Sequence, residues 1–234
     1  MNLLPAGLRH LLPSLTFAAS LAVVPGLHAA DGWINLFNGK NLDGWEQHSG
    51  VAKYRVEDNC IVGTTVAKTG NSFLCTTQTY GDFILEFEFQ VAPDMNSGVQ
   101  FRSEYYTKET EAAVNGKKKK FPADRVFGYQ YEIDPSPRAY TAGVYDEARR
   151  GWLAELKGNE AAQKAFKAGG WNLARIECQG DHIQTWINGV KAADLKDAMT
   201  LKGIIALQVH GIGDGIKKKP GEEIRWRNIR LKPL

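Results

Sequence analysis

The sequence predicts an all-β domain of two packed antiparallel sheets, a β-sandwich with a short helical insert. Three observations carry this. Short strand-like runs fill most of the chain and are separated by Gly-, Asn- and Asp-containing turns. The clearest run, FILEFEF at 83–89, alternates Phe83, Leu85, Phe87 and Phe89 on one face with Ile84, Glu86 and Glu88 on the other. A sheet with one apolar face must bury it against a second layer.

Taken in order, strands are expected at 33–37, 53–57, 60–65, 72–77, 82–91 and 98–103, and then at 127–134, 142–145, 171–179, 182–188, 203–210 and 223–232. Asn38-Gly39, Asp58-Asn59, Gly70-Asn71, Gly180-Asp181, Asn188-Gly189 and Gly213-Asp214-Gly215 supply turns. In 174–179, Ala174, Ile176 and Cys178 alternate with Arg175, Glu177 and Gln179, and QGDH at 179–182 reads as a tight hairpin turn. Two inserts break the pattern. Residues 104–126 are polar and Lys-rich and read as a long loop. Residues 152–168 read as one or two helices, with Asn159 as N-cap and Gly169-Gly170 as stop. Trp33, Trp45 and Trp186 are expected in the core.

Residues 1–30 read as an export signal, with Arg9, an apolar stretch at 15–24, the breakers Pro25 and Gly26, and a small-residue exit at 28–30. The apolar stretch is short of the ~20 residues of a membrane span. The expectation is a single domain over 31–234, periplasmic or secreted. Three cysteines are an odd count. Cys60 and Cys75 could pair across a hairpin and leave Cys178 buried, or all three could be buried thiols. The net charge of +3 says little about partners. The basic runs Lys117–Lys120 and Lys217–Lys219 lie beside Gly or Pro without interleaved aromatics, so they read as solvated loop tips and not as a nucleic-acid surface.

The polar faces of the strands are the functional signal. GYQYEID at 128–134 puts Gln130, Glu132 and Asp134 on one face and Tyr129, Tyr131 and Ile133 on the other. Glu86 and Glu88, Gln100 and Arg102, and Gln208 and His210 repeat the i, i+2 pattern. If these strands are neighbours, acids, amides, an Arg and a His share one groove. Amides and carboxylates suit carbohydrate hydroxyls, and acid beside Arg and His suits proton transfer. A solvated outer face is the plain alternative. Asn96-Ser97-Gly98 reads as a turn that could position Arg102. Tyr145 to Trp152 mixes charge with aromatics, as a sugar-stacking rim or a surface salt-bridge cluster would. Gly-x-Gly-x-Gly at 211–215 is weak as a nucleotide motif, since no helix follows it.

LFNGKNLDGWE (36–46), YGDFILEFEFQVAPDMNSGVQFR (80–102), GYQYEIDPS (128–136), TAGVYDEARRGWL (141–153), WNLARIECQGDHIQTWINGV (171–190), ALQVHG (206–211) and IRWRNIRLKPL (224–234) together resemble the 3-keto-disaccharide hydrolase family, also described as 3-keto-glucoside 1,2-lyase/3-keto-2-hydroxy-glucal hydratase. The resemblance implies a concanavalin A-like, glucanase-like sandwich with a carbohydrate groove. It implies removal of a C2 proton beside a C3 ketone, loss of the C1 substituent, and hydration of the resulting glucal. By the same resemblance, Glu132 and His210 are base and acid in either order, Arg102 stabilises the enolate oxygen, and Gln130 and Asp134 hold hydroxyls. Further substrate contacts are expected from Glu88, Asn96, Gln100, Tyr145, Trp152 and Gln208. No cofactor is expected, although a divalent metal near the carboxylates could replace Arg102 as electrophile. A lectin-like binding module and an ordinary glycosidase are the competing readings. The partner expected is a carbohydrate.

Overall fold

A computed structural model describes residues 31–213 and 219–234. The expected export signal lies outside these residues, as does most of the Lys217–Lys219 run. The strands are β1 (Ile34–Asn35), β2 (Trp45–Ser49), β3 (Lys53–Glu57), β4 (Cys60–Thr64), β5 (Ser72–Thr76), β6 (Phe83–Val91), β7 (Ser97–Ser103), β8 (Thr110–Val114) and β9 (Lys117–Phe121). They continue with β10 (Gly128–Ile133), β11 (Val144–Glu147) and β12 (Gly151–Ala154). After helix α1 (Glu160–Ala165) come β13 (Asn172–Gln179), β14 (His182–Ile187), β15 (Val190–Lys196), β16 (Ile204–Val209) and β17 (Glu223–Pro233).

Two large antiparallel sheets form the sandwich. The first runs β15-β14-β13-β6-β17-β4-β3, with β1 added on β17; the second runs β12-β11-β10-β7-β16-β5-β2. Their inner faces make one core. Phe83, Leu85, Phe87 and Phe89 from β6 are buried, as are Tyr129, Tyr131 and Ile133 from β10 and Val99 and Leu207 between them. Phe87 meets Tyr131 edge to face at 5.6 Å. The hairpin turns follow the sequence: Asp58-Asn59 and Asn188-Gly189 adopt the positive φ that two-residue turns require.

Several expectations are corrected. The 104–126 insert is no plain loop. It carries the β8–β9 hairpin, closed by Asn115-Gly116, and Lys117–Lys120 lie in a strand of it. Alternation is hard to read where four lysines follow one another. Residues 151–154 are an edge strand, so the helical part of the second insert shrinks to α1, capped as expected by the Asn159 side chain accepting from Ala162 N. Strands β2 and β15 were not anticipated; both lie at sheet edges, where neither face needs to be fully apolar. Cys60 sits on β4 and Cys75 on β5, in different sheets, and all three cysteines are buried free thiols. Trp45 is core, but Trp33 and Trp186 are only partly buried. They lie under Arg230 and under Arg175 and Lys191.

The two outer faces differ. On the first sheet, charges pair with one another: Glu86 with Arg175 and Arg230, and Glu88 with Arg227. On the second sheet, part of the outer face is apolar (Phe73, Cys75, Ile204, Ala206) and packs with Val126 and Tyr105 of the insert. The remainder of that face carries the polar row.

Candidate functional site

Cross-strand register builds the site. Gln130 lies opposite Gln100, and both Glu132 on β10 and Gln208 on β16 lie opposite Gly98 of the intervening β7. A Cβ at Gly98 would come within 2.6 Å of the Gln130 side chain. The bare glycine therefore lets Gln130 lie across β7.

Glu132 is 4% exposed. Its two carboxyl oxygens accept from Asn96 Nδ2 and Gln130 Nε2, each at 2.7 Å. This fixes the Gln130 amide: its nitrogen faces the acid, so its oxygen accepts from Gln100 Nε2 (2.6 Å) and Gln208 Nε2 (3.0 Å). Gln208 Oε1 is left buried with no hydrogen-bond partner. Burial pushes the Glu132 carboxyl up to about 7, reinforced by Asp134 and opposed by the Asn96 and Gln130 bonds and the Arg138 charge.

Arg138 stands 3.7 Å from Glu132 and donates to Asp134 Oδ2 at 2.7 Å. Its guanidinium lies over Tyr140 and Trp152, and Trp152 meets Tyr145 edge to face at 5.2 Å. Glu147 is a second buried acid, accepting from Arg125 and Asn71; burial raises its pKa. His210 follows β16, and its Nδ1–H donates to Gly211 O at 2.9 Å. Glu132, Asp134, Arg138, Tyr145, Glu147 and His210 face a common polar cleft of about 420 Å³, to which Asn96, Gln130, Gln208 and Trp152 also contribute.

Two sequence-predicted residues fall elsewhere. Arg102 is fully buried and bonds Gly81 O, Gly180 O and Asp82 Oδ1 at 2.7–2.8 Å. Its φ is 45°, and the β7–β16 register shifts beside it. This bulge breaks the i, i+2 phase shared with Gln100 and re-aims the side chain towards loops of the first sheet. Glu88 is on the first sheet, paired with Arg227 and Asn228. Both are structural: the bulge turns Arg102 out of the polar row, and strand phase does not reveal that β6, which carries Glu88, joins the other sheet. Gln100 supports the network without lining the cleft. Sequence reasoning missed Arg138 as a site residue and weighed Glu147 only within a mixed loop; the visible signals were Arg138 at i+4 from Asp134 across two prolines, and Glu147 at i+2 from Tyr145.

If Arg102 is structural, Arg102→Met should cost about 2–4 kcal/mol through lost charge-assisted hydrogen bonds. Urea melts should show this, while kcat of the folded fraction stays within about threefold; a large kcat loss at unchanged stability would return Arg102 to the chemistry.

Comparison with known proteins decides the family. Residues 32–232 match the 3-keto-alpha-glucoside-1,2-lyase-like domain. The chain belongs to this family. It is a carbohydrate-active protein with a glucanase- and galectin-like sandwich. No curated protein matches it. A candidate glycosyl hydrolase from Parabacteroides distasonis ATCC 8503 is similar in fold, with TM-score 0.56 and 18% identity over 88% of this chain and 95% of that one. The carbohydrate binding module CBM66 from Bacillus subtilis gives 0.53 and 15% over 81% and 95%. A prokaryotic β-1,3-1,4-glucanase (lichenase) from a mouse hindgut metagenome gives 0.51 and 12% over 86% and 98%. Among the described residues no helix is long and apolar enough to cross a membrane, and no group of three or more His, Cys, Asp or Glu side chains is placed to hold a metal ion.

Proposed function

We propose that the cleft cleaves 3-keto-glycosides by elimination and hydration, with Glu132 as the base. One observation carries the reading: a buried carboxyl near neutrality on the floor of a polar, aromatic-rimmed cleft. A C3 ketone acidifies the C2–H bond. Glu132 takes that proton, and the electron pair moves into the C2=C3 enolate. Arg138, 3.7 Å from Glu132, replaces Arg102 as the cation nearest this charge. The enolate then expels the C1 substituent, whose oxygen takes a proton from His210. Water adds back across C1=C2, with hydroxide at C1 and the proton returning to C2. The products are the 3-keto sugar and the free aglycone. Tyr145 and Trp152 are suited to stack on the ring. Export to the periplasm or outside the cell is part of the same proposal.

Glu147 in the same cleft favours a second reading, a plain glycosidase using two carboxyls. Purified protein is offered 3-keto-trehalose or methyl 3-keto-glucoside beside the unoxidised sugars. Reaction of the oxidised substrates alone is expected. An equal rate on unmodified disaccharides would sink the elimination.

The Asn96 bond opposes the upward shift of Glu132. Asn96→Ala should therefore move the acid limb of kcat/KM to higher pH and lower activity below neutrality more than above it. A pH profile that falls uniformly would show that Asn96 does not act through Glu132.

A further inference from the structure

A second chamber of about 710 Å³ adjoins the polar cleft and shares Asn96, Asp134, Ser136 and His210 with it. Its other walls have a different chemistry. Pro93, Pro135 and Pro137 present ring CH surfaces and no amide donor, and Met95 and Ile212 add apolar surface. Among the described residues no Phe, Tyr or Trp lines it, whereas Tyr145 and Trp152 line the polar cleft. Of its hydroxyl-bearing residues, Thr65 is already engaged with the Glu222 backbone in both directions, and Ser136 Oγ accepts from Arg138 N. The charges of Asp94, Lys219 and Glu222 complete the lining.

We propose that this chamber is the leaving-group subsite and takes an aryl or other flat apolar aglycone in preference to a second sugar. The inference rests on the elimination reading of the polar cleft. Continuity supports it: His210 borders both spaces, so a substrate with its oxidised ring over Glu132 carries its C1 oxygen to the junction. Size supports it, since the volume lies within the roughly 300–1,000 Å³ of small-ligand pockets. Chemistry supports it as well. Beyond the residues shared with the polar cleft and the engaged Thr65, the described lining offers Asp94, Lys219 and Glu222 to hydroxyls, whereas the CH groups of Pro93, Pro135, Pro137, Met95 and Ile212 make an apolar wall against which an aromatic ring packs.

The test uses 3-keto derivatives of 2-phenylethyl glucoside, methyl glucoside and trehalose; the first two release simple alcohols of like acidity, so their difference reports binding in the chamber, while trehalose releases a more acidic anomeric hydroxyl and has the easier departure. The phenylethyl substrate should exceed the methyl one in kcat/KM by roughly tenfold or more, the scale of burying a phenyl group in part. It should also exceed the trehalose derivative. Pro93 and Pro137 are exposed at the chamber wall. Pro93→Asp and Pro137→Asp should collapse that preference, read within each variant as the ratio of kcat/KM for the phenylethyl and methyl substrates. Preference for trehalose, or an aryl preference indifferent to both variants, overturns the inference. Titration with unoxidised 2-phenylethyl glucoside separates this from failure of the function. Wall-dependent binding without turnover of any 3-keto substrate would remove the elimination and keep the aryl subsite. Absence of binding together with normal turnover would do the reverse.

Discussion

Glu132→Gln should lower kcat on 3-keto-glycosides by roughly 10²–10⁴-fold, the usual contribution of general-base catalysis, with KM little changed. The substitution keeps the shape of the side chain but removes its basicity. Solvent deuterium should enter C2 in the wild type and cease to do so in the variant. In the wild type, kcat/KM should rise with pH through about 7, where the carboxyl loses its proton, and level off above. The same shift has a stability consequence. The carboxyl's ordinary value is 4.5, so between pH 4.5 and about 7 the unfolded chain releases this proton first. Stability therefore falls as pH rises across that window. At pH 8 the Gln variant should be more stable than the wild type by about 1–3 kcal/mol, and the gap should close below pH 4.5. The lower figure reflects the new amide facing the donors Asn96 and Gln130. If His210 were the base instead, His210→Gln would show the isotope loss and Glu132→Gln would not. A double variant that turned over at the native rate would remove both from the mechanism.

Phe87→Ala is expected to cost about 3–5 kcal/mol, as truncations of large core aromatics do. Phe87 is 1% exposed and sits between the sheets against Tyr131 and Phe89. Tyr131 lies on the strand that carries Glu132, so the cavity would also loosen the floor of the cleft. Urea denaturation gives the stability loss. A value under about 1 kcal/mol would mean that the β6 faces are inverted.

The sequence by itself determined the sandwich and the polar row. Alternation on β6 and β10 marks which side chains face inward, because side chains on a strand point to opposite faces whatever surrounds them. The same local rule put Gln130, Glu132 and Asp134 on one surface and kept Gln208 in phase with His210. Turn pairs such as Asp58-Asn59 were legible because positive φ is a local demand on residue type. Only the tertiary structure decided which strands are neighbours. Glu88 obeys the alternation and still belongs to the other sheet, since partnering depends on how distant segments meet. Arg102 left the polar row because a bulge at φ 45° reversed its direction, and its run of residues carries no mark of that bulge. Arg138 entered the site through a turn that folds back onto Asp134, and Glu147 through the pairing of β11 with β10. The raised pKa of Glu132 was likewise out of reach of the sequence, because it comes from desolvation by the assembled cleft and not from the residue or its chain neighbours.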